Sequence, residues 1–298
     1  MVTTPDFPGY RTRLTGLLGV LLSIQPGFRR VAEFTVLASI PLFWDLLWGY
    51  NQEMRRLYLP DEPQGDLIPL FSADQVHRLR DVLRLKPGDE VETFDGHGNV
   101  YFSTIAELEK DHVLLRILSH RAVKAPRAKT LIGCAIPKSV KMDEIVDKLT
   151  QLGVDVIVPL NTARVVANLE TNSEARLRRW LKISLAASEQ SGRDFTPEVR
   201  KVTDLPDFLK MAADCAVKLI PTLEGRRSAL ADVSASARGR SIAVMIGPEG
   251  DFSPEEVELA AQAGFLPVSL GELVLRVDTA AVALAAYVHL LLRQDSSR

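Results

Sequence analysis

From Met54 onward the apolar positions of this chain change rhythm once, near residue 125. Before that point they come in short runs that favour alternate residues. Arg56 to Leu59, Asp66 to Phe71, Glu90 to Phe94, Val100 to Glu107 and His112 to Leu118 read as strands. Pro87-Gly88-Asp89 supplies a turn and Asp95-Gly96-His97-Gly98-Asn99 a hairpin loop. One helix interrupts them, opened by Ser72 as N-cap and running to about Leu83. The pattern predicts a small barrel-like β domain. His120 to Arg127, basic and containing Pro126, suits a linker.

From Lys129 onward strand and helix alternate. Thr130 to Ile136 is strand-like. Ser139 to Leu152 is an amphipathic helix with Met142, Ile145, Val146 and Leu149 on one face, closed by Gly153, and Val154 to Val158 is the next strand. Arg176 to Ser188 continues as helix, Glu198 to Val202 and Val217 to Ile220 as strands, and Ala280 to Leu292 as an Ala-rich closing helix. This is an α/β signature.

The stretch Ser241 to Ala280 carries the strongest local signals. An apolar run, Ile242 to Ile246, stops at Gly247-Pro248-Glu249-Gly250, and a second, Val268 to Leu270, stops at Gly271. Gly247 and Gly250 permit positive φ or close approach of a ligand to bare backbone, and Pro248 stiffens the turn between them. Ser253-Pro254-Glu255-Glu256 predicts a helix start with Ser253 as N-cap, Pro254 at the first position and Glu256 closing a capping box. In open α/β sheets ligands sit at the carboxyl ends of strands, so the two glycine-ended strands suggest one shared pocket. Two ordinary strand-to-helix turns are the alternative.

The first 53 residues stand apart. Leu14 to Ile24 is too short to span a bilayer, Phe34 to Leu47 is broken by Pro41 and Asp45, and Gln25-Pro26-Gly27 does not resemble a signal cleavage site. They read as an appended extension, disordered or not native, ahead of a plausible start at Met54. The chain of 298 residues has room for about two domains. Its 46% hydrophobic and 25% charged composition is that of a globular protein, and a net charge of -2 leaves nucleic-acid binding to local basic patches. Arg78, Arg80 and Arg84, on or beside the first helix with His77, form one such patch or else a solvated polar face. Cys134 and Cys215 lie in apolar runs without metal-ligand spacing, as expected of free thiols in a reducing cytoplasm, and no metal is expected. A phosphate-cradling glycine motif is missing.

Three motifs in order then carry a family resemblance: Ala186-Ala187-Ser188-Glu189-Gln190-Ser191-Gly192-Arg193, Ile246-Gly247-Pro248-Glu249-Gly250, and Leu270-Gly271 through Leu275-Arg276 to Asp278-Thr279-Ala280. With Lys138 to Gly153 and Arg164, they closely resemble the RsmE family of 16S ribosomal RNA methyltransferases, within the SPOUT superfamily. The resemblance runs from Met54 to the C-terminus. It implies a PUA-like RNA-binding β-barrel over 54–124 and, over 125–298, a SPOUT-type α/β domain whose last segment forms a trefoil knot. It also implies S-adenosyl-L-methionine as cofactor, a cytoplasmic homodimer with the pocket near its interface, no membrane association, and methylation of N3 of one uridine in the 16S ribosomal RNA of the small subunit.

On that resemblance the cofactor falls to Leu223, Gly247, Pro248, Glu249, Gly250, Leu270, Gly271, Leu273, Leu275, Arg276, Thr279 and Ala280, and RNA to Arg78, Arg80, Arg84, Arg164 and Arg193. Methyl transfer to uracil N3 needs alignment and loss of the N3 proton. Arg193 is expected to bind phosphate or stabilise charge on uracil oxygens, and Glu189 is a candidate base that competes with a capping or pairing role. Trp180 either packs in the core or stacks on RNA. The chain departs from the family pattern at Asp251, where glycine is common, at Gln151 for glutamate, and at Asp278, one methylene shorter than the usual glutamate. A methyltransferase of transfer RNA, or a non-catalytic ribosome-assembly protein, would share parts of this pattern.

Overall fold

The computed structural model describes residues 55–138, 141–165, 173–223, 225, 227–237 and 239–293. Contacts divide the chain between Glu53 and Met54, and the expectations for residues 1–53 lie outside the described residues.

The front of the described chain is a five-stranded sheet. β1 (Arg56–Tyr58), β2 (Leu67–Leu70), β3 (Glu90–Phe94), β4 (Asn99–Leu108) and β5 (Val113–Ala122) are ordered β1-β3-β4-β5-β2, antiparallel except for the parallel β1–β3 pair. The long β4–β5 hairpin shifts register at two points, where an extra residue bends the ladder. A short helix, α1 (Ala73–His77), runs into a π-helical turn at Arg78–Val82, and Val76 and Leu79 join Leu57, Ile68, Val91, Ile105 and Leu115 in one core. Ser72 holds the N-cap position, but its side chain makes no capping hydrogen bond. β5 continues to Ala122, so the first residues of the expected linker are strand.

The rest is a parallel sheet with helices on both faces. Its strands are β6 (Thr130–Ala135), β7 (Val156–Asn161), β8 (Glu198–Val199), β9 (Thr203–Asp204), β10 (Val217–Pro221), β11 (Ser228–Ala229), β12 (Ile242–Ile246) and β13 (Leu266–Ser269). The order is β11-β13-β10-β12-β6-β7-β8, with β9 also on β7. The helices are α2 (Lys141–Gln151), α3 (Ser173–Ser191), α4 (Leu205–Met211), α5 (Leu230–Ala237), α6 (Pro254–Gln262) and α7 (Val277–Arg293). Strand alternation sorts the central side chains: Ile242, Val244 and Ile246 enter the core shared with α2, α3 and α7, whereas Ala243 and Met245 face α4 and α6. On the second face Gly133 is obligatory in size, because a Cβ there would lie 2.5 Å from the Phe208 ring.

Local chemistry explains how the helices end. Gly153, at φ +79°, stops α2 and lets Val154 N donate to Leu149 O at 3.1 Å. Gly192, at φ +72°, stops α3 in the same way, with Arg193 N donating to Ser188 O at 3.1 Å. Both are six-to-one bonds that close a helix around a left-handed glycine. The predicted capping box of α6 is present, with Glu256 N donating to Ser253 Oγ at 3.3 Å and Ser253 N to Glu256 Oε2 at 2.8 Å. Four elements went unpredicted: β9, α4, which is opened by Asp204 as N-cap with Pro206 behind it, and the β11–α5 pair.

Candidate active site

A cleft of about 240 Å³ opens at the carboxyl ends of β10, β12 and β13. These three strands are neighbours, so the segments leaving them converge: Thr222 and Leu223 after β10, Gly247 to Glu249 and Asp251 after β12, and Leu270, Gly271 and Leu273 to Arg276 after β13. The last segment runs back from β13 to α7, which packs on β12, β6 and α2. Its return closes the cleft with Val277 and Ala280. The shared pocket anticipated from the two glycine-ended strands is therefore formed, with β10 as a third contributor.

Backbone conformation differs from expectation in one respect. Neither Gly247 nor Gly250 takes positive φ; that conformation falls to Asp251, at φ 61°, and Gly271, at φ 114°. Space is tight at Gly247, where a Cβ would lie 3.1 Å from the Phe252 ring and 3.2 Å from Asp251 Oδ1. Asp251 is drawn into the left-handed region by its own hydrogen bonds. Its Oδ1 accepts from Phe252 N at 2.8 Å and its Oδ2 from Leu223 N at 3.1 Å. Glu249 Oε1 accepts from Lys138 N at 3.0 Å, and the Arg164 guanidinium donates to Gly250 O at the lip. Glu256 does double duty, its Oε1 accepting from Ala163 N at 2.7 Å while Oε2 closes the capping box. The end of β7 is thereby tied to the loop after β12.

Of the twelve expected cofactor residues, ten line the cleft; Gly250 and Thr279 do not. Sequence reasoning missed Pro221, Thr222, Arg227, Ile246, Val274 and Val277 as lining residues. The first three follow from β10 lying between β12 and β13, a pairing that strand periodicity does not reveal. Behind the cleft, Cys134 is fully buried, and burial, reinforced by Asp278 and Glu249, pushes its thiol up to about 12. Asp278 lies 3.9 Å from Lys141 Nζ.

Arg193 and Glu189 lie outside the cleft lining, and both side chains are engaged within the protein. Arg193 turns inward, with a side chain 12% exposed. Its Nη1 donates to Thr150 O at 2.9 Å and Val154 O at 2.8 Å, and its Nε to Phe195 O at 2.8 Å. The guanidinium thus caps the carbonyl end of α2. Burial lowers its pKa, opposed by Asp155, whose own carboxyl is pushed up by burial. Glu189 has both oxygens engaged, Oε1 by Tyr58 N at 2.9 Å and Oε2 by Arg78.

The remaining RNA candidates are scattered. Arg78 is spent on Glu189, and Arg80 pairs with Asp81 while donating to Lys110 O at 2.9 Å. Arg84 is exposed at φ 52°. Trp180 is 4% exposed and donates to Asp143 Oδ1 at 3.1 Å, which places it in the core. Among the described residues no helix is long and apolar enough to cross a membrane.

Known proteins match this architecture over most of its length. A family model described as an RNA methyltransferase domain matches residues 124–289, and one described as an RNA methyltransferase PUA domain matches residues 71–118. Ribosomal RNA small subunit methyltransferase E from Synechocystis is 31% identical, covering 85% of this chain and 83% of the relative. The protein of the same name from Bacillus subtilis is 30% identical, covering 81% of this chain and all of the relative. Among solved structures, ribosomal RNA small subunit methyltransferase E from Neisseria gonorrhoeae bound to S-adenosyl methionine aligns with a TM-score of 0.71 at 30% identity, over 80% of this chain and 98% of that one. A Legionella pneumophila methyltransferase in complex with the same cofactor aligns with a TM-score of 0.73 at 32% identity, again over 80% and 98%.

Proposed function

This chain belongs to the RNA methyltransferase family that includes ribosomal RNA small subunit methyltransferase E, and we propose that it methylates N3 of a uridine in the 16S RNA of the small ribosomal subunit. It is an S-adenosylmethionine-dependent enzyme. The observation that carries the reading is the cleft at the carboxyl ends of β10, β12 and β13, where a cofactor is expected in an open parallel sheet.

The lining fits that cofactor. Ile246, Leu270 and Leu275 offer apolar surface to an uncharged ring, and the bare Gly247 and Gly271 leave backbone approachable. When bound, S-adenosylmethionine supplies an electrophilic sulfonium methyl. The residues of this chain hold and orient the donor, which brings its methyl into line with the attacking nitrogen. Arg227 and Arg276, both on the cleft wall, offer positive charge to a carboxylate or an approaching phosphate.

Two finer features belong to the same proposal. The return of the chain from β13 across β10 and β12 to α7 supports a trefoil knot in the last segment. Leu273 and Val274, 80% and 76% exposed on the cleft rim, support a homodimer in which a second copy covers them. The RNA-facing part is assigned to 54–124 and the methyltransferase part to 125–298, in step with the two sheets.

Tritiated S-adenosylmethionine with small subunits lacking the modification, followed by nucleoside mass spectrometry, tests the reading. N3-methyluridine in the 16S RNA is the expected product; label confined to transfer RNA, or none, would overturn it.

A further inference from the structure

The five-stranded sheet and the parallel sheet each bury their own core, yet a short segment just past α3 binds them together with an unusual density of charged contacts. The Gly192 turn ends α3 and throws Asp194 across the junction. There Asp194 Oδ1 accepts from Arg56 Nη2 at 2.8 Å, while Arg121 grips both oxygens, with Nη1 at 2.8 Å from Oδ2 and Nη2 at 3.1 Å from Oδ1. Arg56 is 4% exposed, donates to Arg193 O at 2.7 Å, pairs with Glu92 at 2.6 Å and lies 4.3 Å from the centroid of the Phe94 ring.

Backbone bonds extend the seam. Gly98 N donates to Asp194 O and Thr196 N to Gly96 O, both at 3.0 Å, around an antiparallel bridge between His97 and Phe195. The Phe195 ring sits so close to Gly98 that a Cβ would lie 2.6 Å from it. Upstream, Glu189 holds Tyr58 N and Arg78.

We infer that Glu189 to Thr196 form a latch fixing the five-stranded sheet over the parallel sheet, with Arg56, Arg121 and Asp194 as positioning residues for RNA. A buried arginine and a forked carboxylate hold geometry far better than exposed ion pairs. RNA held by the five-stranded sheet would then reach the cleft in one register. The inference rests on the methyltransferase reading above, but the latch is measurable without it.

Asp194→Asn provides the discriminating test, because the sign of its effect separates two explanations. If Asp194 merely repelled phosphate, losing its charge would tighten RNA binding. The latch predicts the opposite: KM for RNA about tenfold higher, with cofactor affinity and Tm little changed. Arg121→Ala should behave likewise and Arg121→Lys should recover part of the loss. Hydrogen exchange reads the seam directly, and the Gly98 and Thr196 amides should exchange about tenfold faster in Asp194→Asn, while amides inside β12 stay protected. Unchanged exchange at those two amides, or a KM for RNA that stays level or falls, would overturn the latch. Failure of the wild type to methylate small-subunit RNA would instead strike the proposed function, leaving the exchange result to stand by itself.

Discussion

Asp251 accepts a hydrogen bond from the Leu223 amide at 3.1 Å, joining the segment after β12 to the segment after β10 across the cleft. Asp251 pays for this with a left-handed backbone. Asp251→Gly should therefore show two opposing effects. Backbone relief of about 1 kcal/mol offsets about half of the two lost hydrogen bonds, worth about 1 kcal/mol each, so Tm falls by only a few degrees. Cofactor affinity, which feels the untethered Leu223 segment, should fall about fivefold by calorimetry. Affinity at the wild-type level would show that the tether does not shape the cleft.

Gly247→Val is the steric counterpart. Its branched side chain would collide with the Phe252 ring and project from a loop that lines the cleft. Cofactor binding should be lost, with a destabilisation of about 1–3 kcal/mol from overpacking. Tight binding by this variant would exclude the loop from the site.

Arg193→Ala should act on stability before catalysis. The substitution strips the shared donor from Thr150 O and Val154 O and removes a buried guanidinium from Asp155. A loss of about 2–4 kcal/mol in denaturant unfolding is expected. Arg193→Lys cannot reproduce the fork and should recover little. A variant of wild-type stability that fails only in methyl transfer would return Arg193 to the reaction itself.

Cys134 makes a pH-dependent prediction. Its thiol is held to about 12 in the folded protein against an ordinary 9.0, so between those values the unfolded chain gives up a proton that the folded chain keeps. Stability from this group is intact below pH 9 and is lost as pH rises above it. Cys134→Ala should flatten the alkaline fall in Tm. In native protein a thiol reagent should modify Cys215, which is half-buried, and spare Cys134. Rapid labelling of both would contradict the burial.

What could be read from the sequence was whatever local chemistry dictates. The α6 capping box needed only Ser253 and Glu256, and β12 only an apolar run ended by glycine. Gly153 and Gly192 marked helix ends because left-handed backbone favours glycine. Long-range partnership was hidden. Placing Pro221 and Thr222 at the cleft requires knowing that β10 lies between β12 and β13, and Arg193 looks the same in a sequence whether it faces phosphate or caps a buried helix. The α4 start at Asp204-Leu205-Pro206 carries a local helix-opening signal too, an N-cap position with proline just inside.

The cleft also has a consequence for biosynthesis. All its lining residues fall between Pro221 and Ala280, whereas the five-stranded sheet is complete by Ala122. A growing chain therefore completes its front sheet long before it owns the cleft, because domains fold as they emerge. A nascent chain arrested before Val277 should protect its front sheet from protease yet retain no S-adenosylmethionine, so that the newborn protein passes through a stage with a folded front and no seat for its cofactor.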